Sequence, residues 1–155
     1  GWKFQTPMYI TATYTDATFT DAAVTSEDQE SIWNGAKNGN ELPYITPEVI
    51  SMGFGVIYEK FNANLDFNYN GETFADGANQ GAQVNPFNGT ADARFGKIDA
   101  YHVLDATIGW QFNKNVRMFS NFTNITNQKY MVSRQPLGAR PGLPFSMMAG
   151  LEFDL

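Results

Sequence analysis

Three bases, Lys129, Arg134 and Arg140, fall within residues 126–142 with no acid among them, whereas residues 21–41 hold five acids (Asp21, Glu27, Asp28, Glu30, Glu41) and the single base Lys37. A guanidinium presents a fork of N–H donors that matches a carboxylate two bonds at a time and keeps its charge at any working pH. The basic stretch is thus the one suited to an anionic ligand, and Arg134 and Arg140 are the first binding candidates. Arg140 also has a plainer reading: it stands just before Pro141-Gly142, where it would brace loop backbone. Trp33, Phe87, Phe95 and Tyr130 lie in similar polar stretches. A loop aromatic either closes over a ligand or packs the loop's own small core, and packing is the simpler assignment.

Other chemistry is poorly provided for. There is no cysteine, hence no thiol nucleophile, thiolate metal site or disulfide, and the single histidine, His102, cannot make a multi-histidine metal centre. No glycine motif precedes a helix in a way that would cradle phosphate. His102 stands near the end of an alternating run and reads as an interfacial side chain. Asp66 and Asp105 lie on the polar side of separate runs; paired carboxylates can do acid–base work, but in a wet interior they are ordinarily solvated. The expectation is therefore no enzyme and no intrinsic cofactor. Ten Lys and Arg against sixteen Asp and Glu leave a net charge of −6, which argues against nucleic acid as a partner.

The elements that must carry these residues are strands. Ile50, Met52, Phe54, Val56 and Tyr58 alternate with Ser51, Gly53 and Gly55. After Glu59-Lys60 the pattern resumes with Phe61, Ala63, Leu65, Phe67 and Tyr69 against Asn62, Asn64, Asp66, Asn68 and Asn70. A second hairpin runs through Leu104, Ala106, Ile108, Trp110 and Phe112, turns at Asn113-Lys114-Asn115, and returns through Val116, Met118, Ser120 and Phe122. Met8 to Tyr14 and the alternating residues from Phe145 onward bracket the two hairpins. This predicts six antiparallel strands. Three long polar connections, roughly residues 21–43, 76–97 and 126–142, alternate with very short turns, so all long loops lie at one end of the sheet.

A soluble antiparallel sandwich would alternate in the same way. Three features favour a membrane barrel instead. The runs approach the roughly 9 to 11 residues of a tilted spanning strand. Aromatics gather near the stripe ends, with Tyr58, Phe61, Trp110, Phe112 and Phe153 at the short-turn end and Phe74, Tyr101 and Phe145 at the other. The opposite faces are Asn, Asp, Thr and Ser, suited to a wet lumen. No segment approaches the roughly 18 apolar residues of a spanning helix. Six strands cannot close a membrane barrel, whose smallest forms have about eight, so the chain is expected to be part of a larger one interrupted before Gly1.

Specific motifs then resemble the C-terminal barrel segment of TonB-dependent outer-membrane receptors. Thr13-Tyr14-Thr15-Asp16-Ala17-Thr18-Phe19 is similar to a strand ending of that family, and Leu42-Pro43-Tyr44-Ile45-Thr46-Pro47-Glu48 to the Pro-x-x-x-Pro lead into its next strand. Gly71-Glu72-Thr73-Phe74-Ala75-Asp76, Ile98-Asp99-Ala100-Tyr101-His102-Val103-Leu104-Asp105, Asn124-Ile125-Thr126-Asn127-Gln128-Lys129-Tyr130 and Pro141-Gly142-Leu143-Pro144 resemble later segments, in collinear order. Gly150 to Leu155 resembles the barrel assembly signal, with Leu155 in place of the usual aromatic. Phe145 and Ile125-Thr126-Asn127 also depart from the family's wording.

The resemblance implies an all-β fold: the last six antiparallel strands of a roughly 22-stranded transmembrane β-barrel, with short periplasmic turns and long extracellular loops. Residues 1–155 would be the C-terminal part of that barrel, its N-terminal plug domain and earlier strands lying outside them. It implies transport of a ferric siderophore or ferric citrate-like chelate across the outer membrane of a Gram-negative bacterium. Membrane lipid, lipopolysaccharide, the rest of the barrel with its plug and, through the plug, the TonB complex would be partners. Arg134, Arg140, Tyr130, Gln135, Arg94, Phe87 and Trp33 are the loop residues that such a ligand would meet, with lipopolysaccharide phosphates the competing target of the arginines. A passive porin or surface adhesin is the alternative, and an upstream plug would separate the two.

Overall fold

The computed structural model describes residues 4–21, 31–85 and 88–154. It is all-β. Strands β1 (Phe4–Gln5) and β2 (Met8–Tyr14) both pair with β3 (Glu48–Tyr58) and act as one strand broken at Thr6-Pro7. Proline cannot donate to a ladder, but its carbonyl still accepts from the Gly55 N–H at 2.7 Å, which keeps the register across the break. The sheet continues antiparallel through β4 (Phe61–Asn70), β7 (Tyr101–Asn113), β8 (Val116–Thr123) and β11 (Ser146–Phe153). Small two-stranded pairs sit in the long connections: β5 (Thr73–Phe74) with β6 (Lys97–Ile98), and β9 (Met131–Ser133) with β10 (Arg140–Pro141). The six expected strands are all present, in the expected order, with the short and long connections alternating.

Register turns the alternation into two faces. Ile10, Met52, Phe67 and Leu104 stand in one row across neighbouring strands; Met8, Phe54, Leu65, Ala106 and Phe122 form the next, and Phe61 and Trp110 meet nearer the short turns with ring centroids 5.9 Å apart. These rows are apolar across the sheet, with Ser120 between Ile108 and Ala149 a polar residue on the same face. Its side chains stay uncovered: Met8, Ile10, Leu151 and Phe153 are each more than half exposed. On the opposite face Thr11, Ser51 and Asn68 share a row, and Gly53, Asp66 and Asp105 share another.

Small residues on the polar face make room for large ones. The Tyr9 ring lies across Gly53, where an added Cβ would fall 2.0 Å from its Cε1, and from there its hydroxyl donates to Asp66 Oδ1 at 2.9 Å. Phe119 lies over Gly150 in the same way. A ring laid flat over a glycine covers the bare backbone without standing up from the sheet, the device known as aromatic rescue. Among the described residues, β2 and β11 each pair on one side only.

Candidate ligand-binding rim

All three long connections emerge at the same end of the sheet and pack on one another. In the first, residues 17–19 run antiparallel to 39–42, with Phe19 N–H donating to Asn40 O and Leu42 N–H to Ala17 O. Trp33 is about half exposed and meets Phe19 edge-on at 6.1 Å, so its ring packs within its own connection. In the second, Ile98 of the β5–β6 pair is buried, as are Ala75 and Phe95 next to that pair in the chain. Arg94 is paired with Asp92 two residues away at 2.9 Å and lies against the Phe95 ring. That bond holds the Asp92 carboxyl below the usual carboxylate range. Phe87 lies outside the described residues.

The third connection is pinned at its base by Asn124, which is fully buried. Its N–H donates to Asp105 Oδ1, its side-chain amide donates to the carbonyls of Gln128 and Leu143, and its Oδ1 accepts from Gln128 N–H. One residue thereby ties together both ends of the loop. Asn124 has φ 51°, a left-handed conformation that asparagine tolerates better than most residues. In the sequence it stands inside the segment 124–130, where the resemblance draws attention and its own chemistry does not. An Asn at a strand end followed by a polar loop was the available signal.

Beyond Asn124, Tyr130 stacks on Tyr101 with ring centroids 4.4 Å apart and lies over Gly142. Beside this stack is a cavity of about 320 Å³, lined among others by Tyr101, Gln128, Lys129, Tyr130, Arg134 and Pro141. Its size falls at the lower end of small-ligand pockets. Tyr130 and Arg134, two of the candidates, are thus brought together, and a neighbouring base, Lys129, joins them. Arg140 follows the lining residue Ala139; it is exposed, and its guanidinium has no partner among the described residues. Gln135 is half-buried and held through its backbone, its N–H on the Tyr44 hydroxyl and its carbonyl accepting from Ser133 Oγ. Arg94 and Trp33 are not part of the cavity lining.

Arg134 is placed differently from its expectation as a ligand contact. It is 4% exposed, with Nε donating to Lys97 O at 3.0 Å and Nη1 to Ala93 O at 3.2 Å. The backbone-bracing role considered for Arg140 is the one that Arg134 occupies. Tyr44, another residue that the sequence reading did not single out, receives the N–H groups of both Arg134 and Gln135 on its hydroxyl. Among the described residues no group of three or more His, Asp or Glu side chains is placed to hold a metal ion.

A sheet apolar on one face and polar on the other, with short turns at one end and a packed set of long loops at the other, is one wall of an antiparallel β-barrel of the membrane type. The β-barrel model of TonB dependent receptor-like proteins matches residues 1–125. The chain belongs to the TonB-dependent receptor family, in its barrel part.

Its fold is similar to that of the ferric citrate transporter FecA in the unliganded form (TM-score 0.64, 20% identity), a match that covers 82% of this chain and 18% of that one. It is also similar to the ferric-catecholate import receptor Fiu of E. coli K12. The closed form matches with TM-score 0.60 and 17% identity over 94% of this chain and 18% of Fiu, and the open form with 0.54 and 19% over 70% and 15%. These likenesses are of fold, and the chain spans less than a fifth of each structure. No curated protein sequence matches it.

Proposed function

We propose that residues 1–155 are the C-terminal wall of a roughly 22-stranded outer-membrane barrel that imports an anionic ferric chelate. The unpaired outer sides of β2 and β11 support a larger barrel, since an open edge in lipid leaves peptide groups unsatisfied at several kcal/mol each. The remaining strands and the plug domain would belong to the same polypeptide. The apolar face would meet outer-membrane lipid, and the loops would face outward among lipopolysaccharide. Energy would come from the TonB complex acting on the plug.

The observation that carries the ligand class is the cavity at the base of the third connection. Two stacked tyrosines, the Lys129 ammonium and the neighbouring Arg140 guanidinium offer phenol and cationic donors, against one acid in the lining, Asp99. That set suits carboxylate or catecholate oxygens around iron, and the ferric citrate and ferric-catecholate receptors among the similar folds are consistent with it. Tyr130, Lys129 and Arg140 would touch the chelate, Arg134 and Gln135 would set the shape of the rim, and Arg94, Trp33 and Phe87 would lie further out on it.

The test is uptake of radiolabelled ferric citrate, and separately of a ferric catecholate, by cells carrying the full-length receptor. Uptake should stop when the membrane is de-energised, and the double change Lys129→Ala with Arg140→Ala should weaken binding about tenfold or more, as expected for two lost charge-assisted contacts. Uptake that continues without energy would make the protein a passive pore, and unchanged affinity would remove this cavity from the site.

A further inference from the structure

We infer that the three long connections form one preassembled cap, locked where Tyr44 and Arg134 meet, and that Arg134 is a positioning residue for the cavity beside it. The ties form a closed circuit. From the first connection, the Tyr44 N–H donates to Phe74 O in the second, and its hydroxyl accepts two successive N–H groups of the third, Arg134 at 3.3 Å and Gln135 at 2.9 Å. From the third, the Arg134 guanidinium reaches back to two carbonyls of the second, Lys97 and Ala93.

A separate seam joins first to second. Asn79 and Glu41 exchange hydrogen bonds, Glu41 N–H to Asn79 Oδ1 at 2.6 Å and Asn79 Nδ2 to Glu41 O at 2.9 Å. Asn40 Nδ2 donates to Gly77 O, Gly77 N–H to Ile32 O, and Thr73 Oγ1 to Ile45 O. No connection can swing away without breaking bonds to both of the others.

Tyr44 holds this place at a conformational cost. Its φ of 61° lies in the left-handed region, which a bulky aromatic residue adopts only when its surroundings fix it there. The guanidinium, for its part, is buried and spends its directional N–H groups on backbone oxygens, a use that depends on the planar fork and not on charge alone. Since Arg134 also lines the cavity with Tyr130 and Lys129, the same bonds that join the loops set the position of that wall. A rim ordered in advance leaves less ordering to be done when a ligand arrives. The role of Arg134 toward a ligand rests on the reading of the cavity given above; the joining of the loops does not.

The experiment uses the full-length receptor in detergent micelles, with Tyr44→Phe, Arg134→Lys and Arg134→Gln. Hydrogen exchange is followed in peptides covering residues 42–46, 93–98 and 131–136, with β4 and β7 as internal controls for folding. Tyr44→Phe removes only a hydroxyl and leaves the guanidinium in place. It should speed exchange about tenfold at 131–136, where the Arg134 and Gln135 N–H groups lose their acceptor, and through the joined loops also speed it at 93–98; either Arg134 change should likewise speed exchange at 42–46. Faster exchange confined to the substituted connection and the segment that it bonds directly overturns the single cap.

Binding of ferric citrate is then measured on the two Arg134 variants. Equal weakening by Lys and by Gln supports positioning by the fork, whereas wild-type affinity in Arg134→Lys overturns it. If the unmodified receptor does not bind ferric citrate, the comparison is made with a ferric catecholate; binding of neither removes the proposed cargo class, and the exchange data still decide whether the loops move as one.

Discussion

The wall and the cap of this molecule bury opposite things. On the wall, large apolar side chains such as Met8, Ile10, Leu151 and Phe153 are uncovered, and their strands are held by a ladder of backbone hydrogen bonds. In the cap, Ala36, Ala75, Phe95 and Ile98 are buried; among the described residues only Val103 adds a buried apolar side chain from the wall. The cap also encloses polar groups, Asp76, Asn124 and Arg134, and meets most of their hydrogen-bonding needs from backbone. One chain thus contains two solutions to the same problem. The wall leaves its apolar face to be covered from outside, by lipid on the reading proposed above, and the cap builds a small core of its own.

The sharpest way to break that comparison is to place a charge on each face of one strand. Leu65, midway along β4 and flanked in register by Phe54 and Ala106, is on the apolar face; Asn64 beside it is on the polar face. Leu65→Arg should destabilise the full-length receptor in lipid vesicles by about 2–4 kcal/mol, the cost of a basic residue at the bilayer midplane. Asn64→Arg should cost well under half of that. Denaturant titration in vesicles measures both, and equal costs would mean that the exposed face does not meet lipid.

A smaller effect is expected where the polar face is smoothed. Gly53→Ala puts a Cβ into the Tyr9 ring, so the ring must lift and the Tyr9–Asp66 bond must break, for about 1–3 kcal/mol. Adding Tyr9→Ala should remove most of the steric part of that penalty. If the double variant is as unstable as the single one, the close fit of ring and glycine is not what limits this position.

The wall was legible in the sequence because a period of two leaves a plain trace: Ile50 to Tyr58 and Phe61 to Tyr69 needed no tertiary information to be assigned faces. The cap was not, because its order comes from contacts between residues far apart in the chain. Tyr44 meets Gln135 across 91 positions, and nothing local marks either as a partner. For the same reason a pattern of charge picked out Arg134 yet could not tell a guanidinium facing a ligand from one facing carbonyls. The signal for Asn124 was local, but it needed attention to backbone conformation rather than to charge.

The finest test lies inside the cap, in two aspartates of the second connection whose carboxyls respond to pH in opposite senses. Asp76 is 1% exposed, and its Oδ2 has no hydrogen-bond partner. Burial raises its pKa, partly offset by nearby backbone N–H groups of Gln80, Gly96, Ala78 and Asn79. An acid harder to ionise folded than unfolded disfavours folding once it is charged, so its penalty is absent below the ordinary carboxylate range and sets in as pH rises through the raised value. Asp92 is the reverse: the bond from Arg94 lowers its pKa, so its contribution is present above the ordinary value and is lost as pH falls through the lowered one. As a surface pair, Asp92 with Arg94 is worth at most about 1 kcal/mol and should weaken further in salt.

Exchange protection, corrected for intrinsic rate, should therefore change with pH in two separable parts, one above and one below the ordinary carboxylate value. Asp76→Asn should abolish the loss of protection on the rising side around residues 75–80. Arg94→Ala should abolish the loss on the acid side around 90–95. A pH response unchanged by Asp76→Asn would mean that the orphan oxygen is satisfied in solution, and that the cap core is wetter than its burial implies.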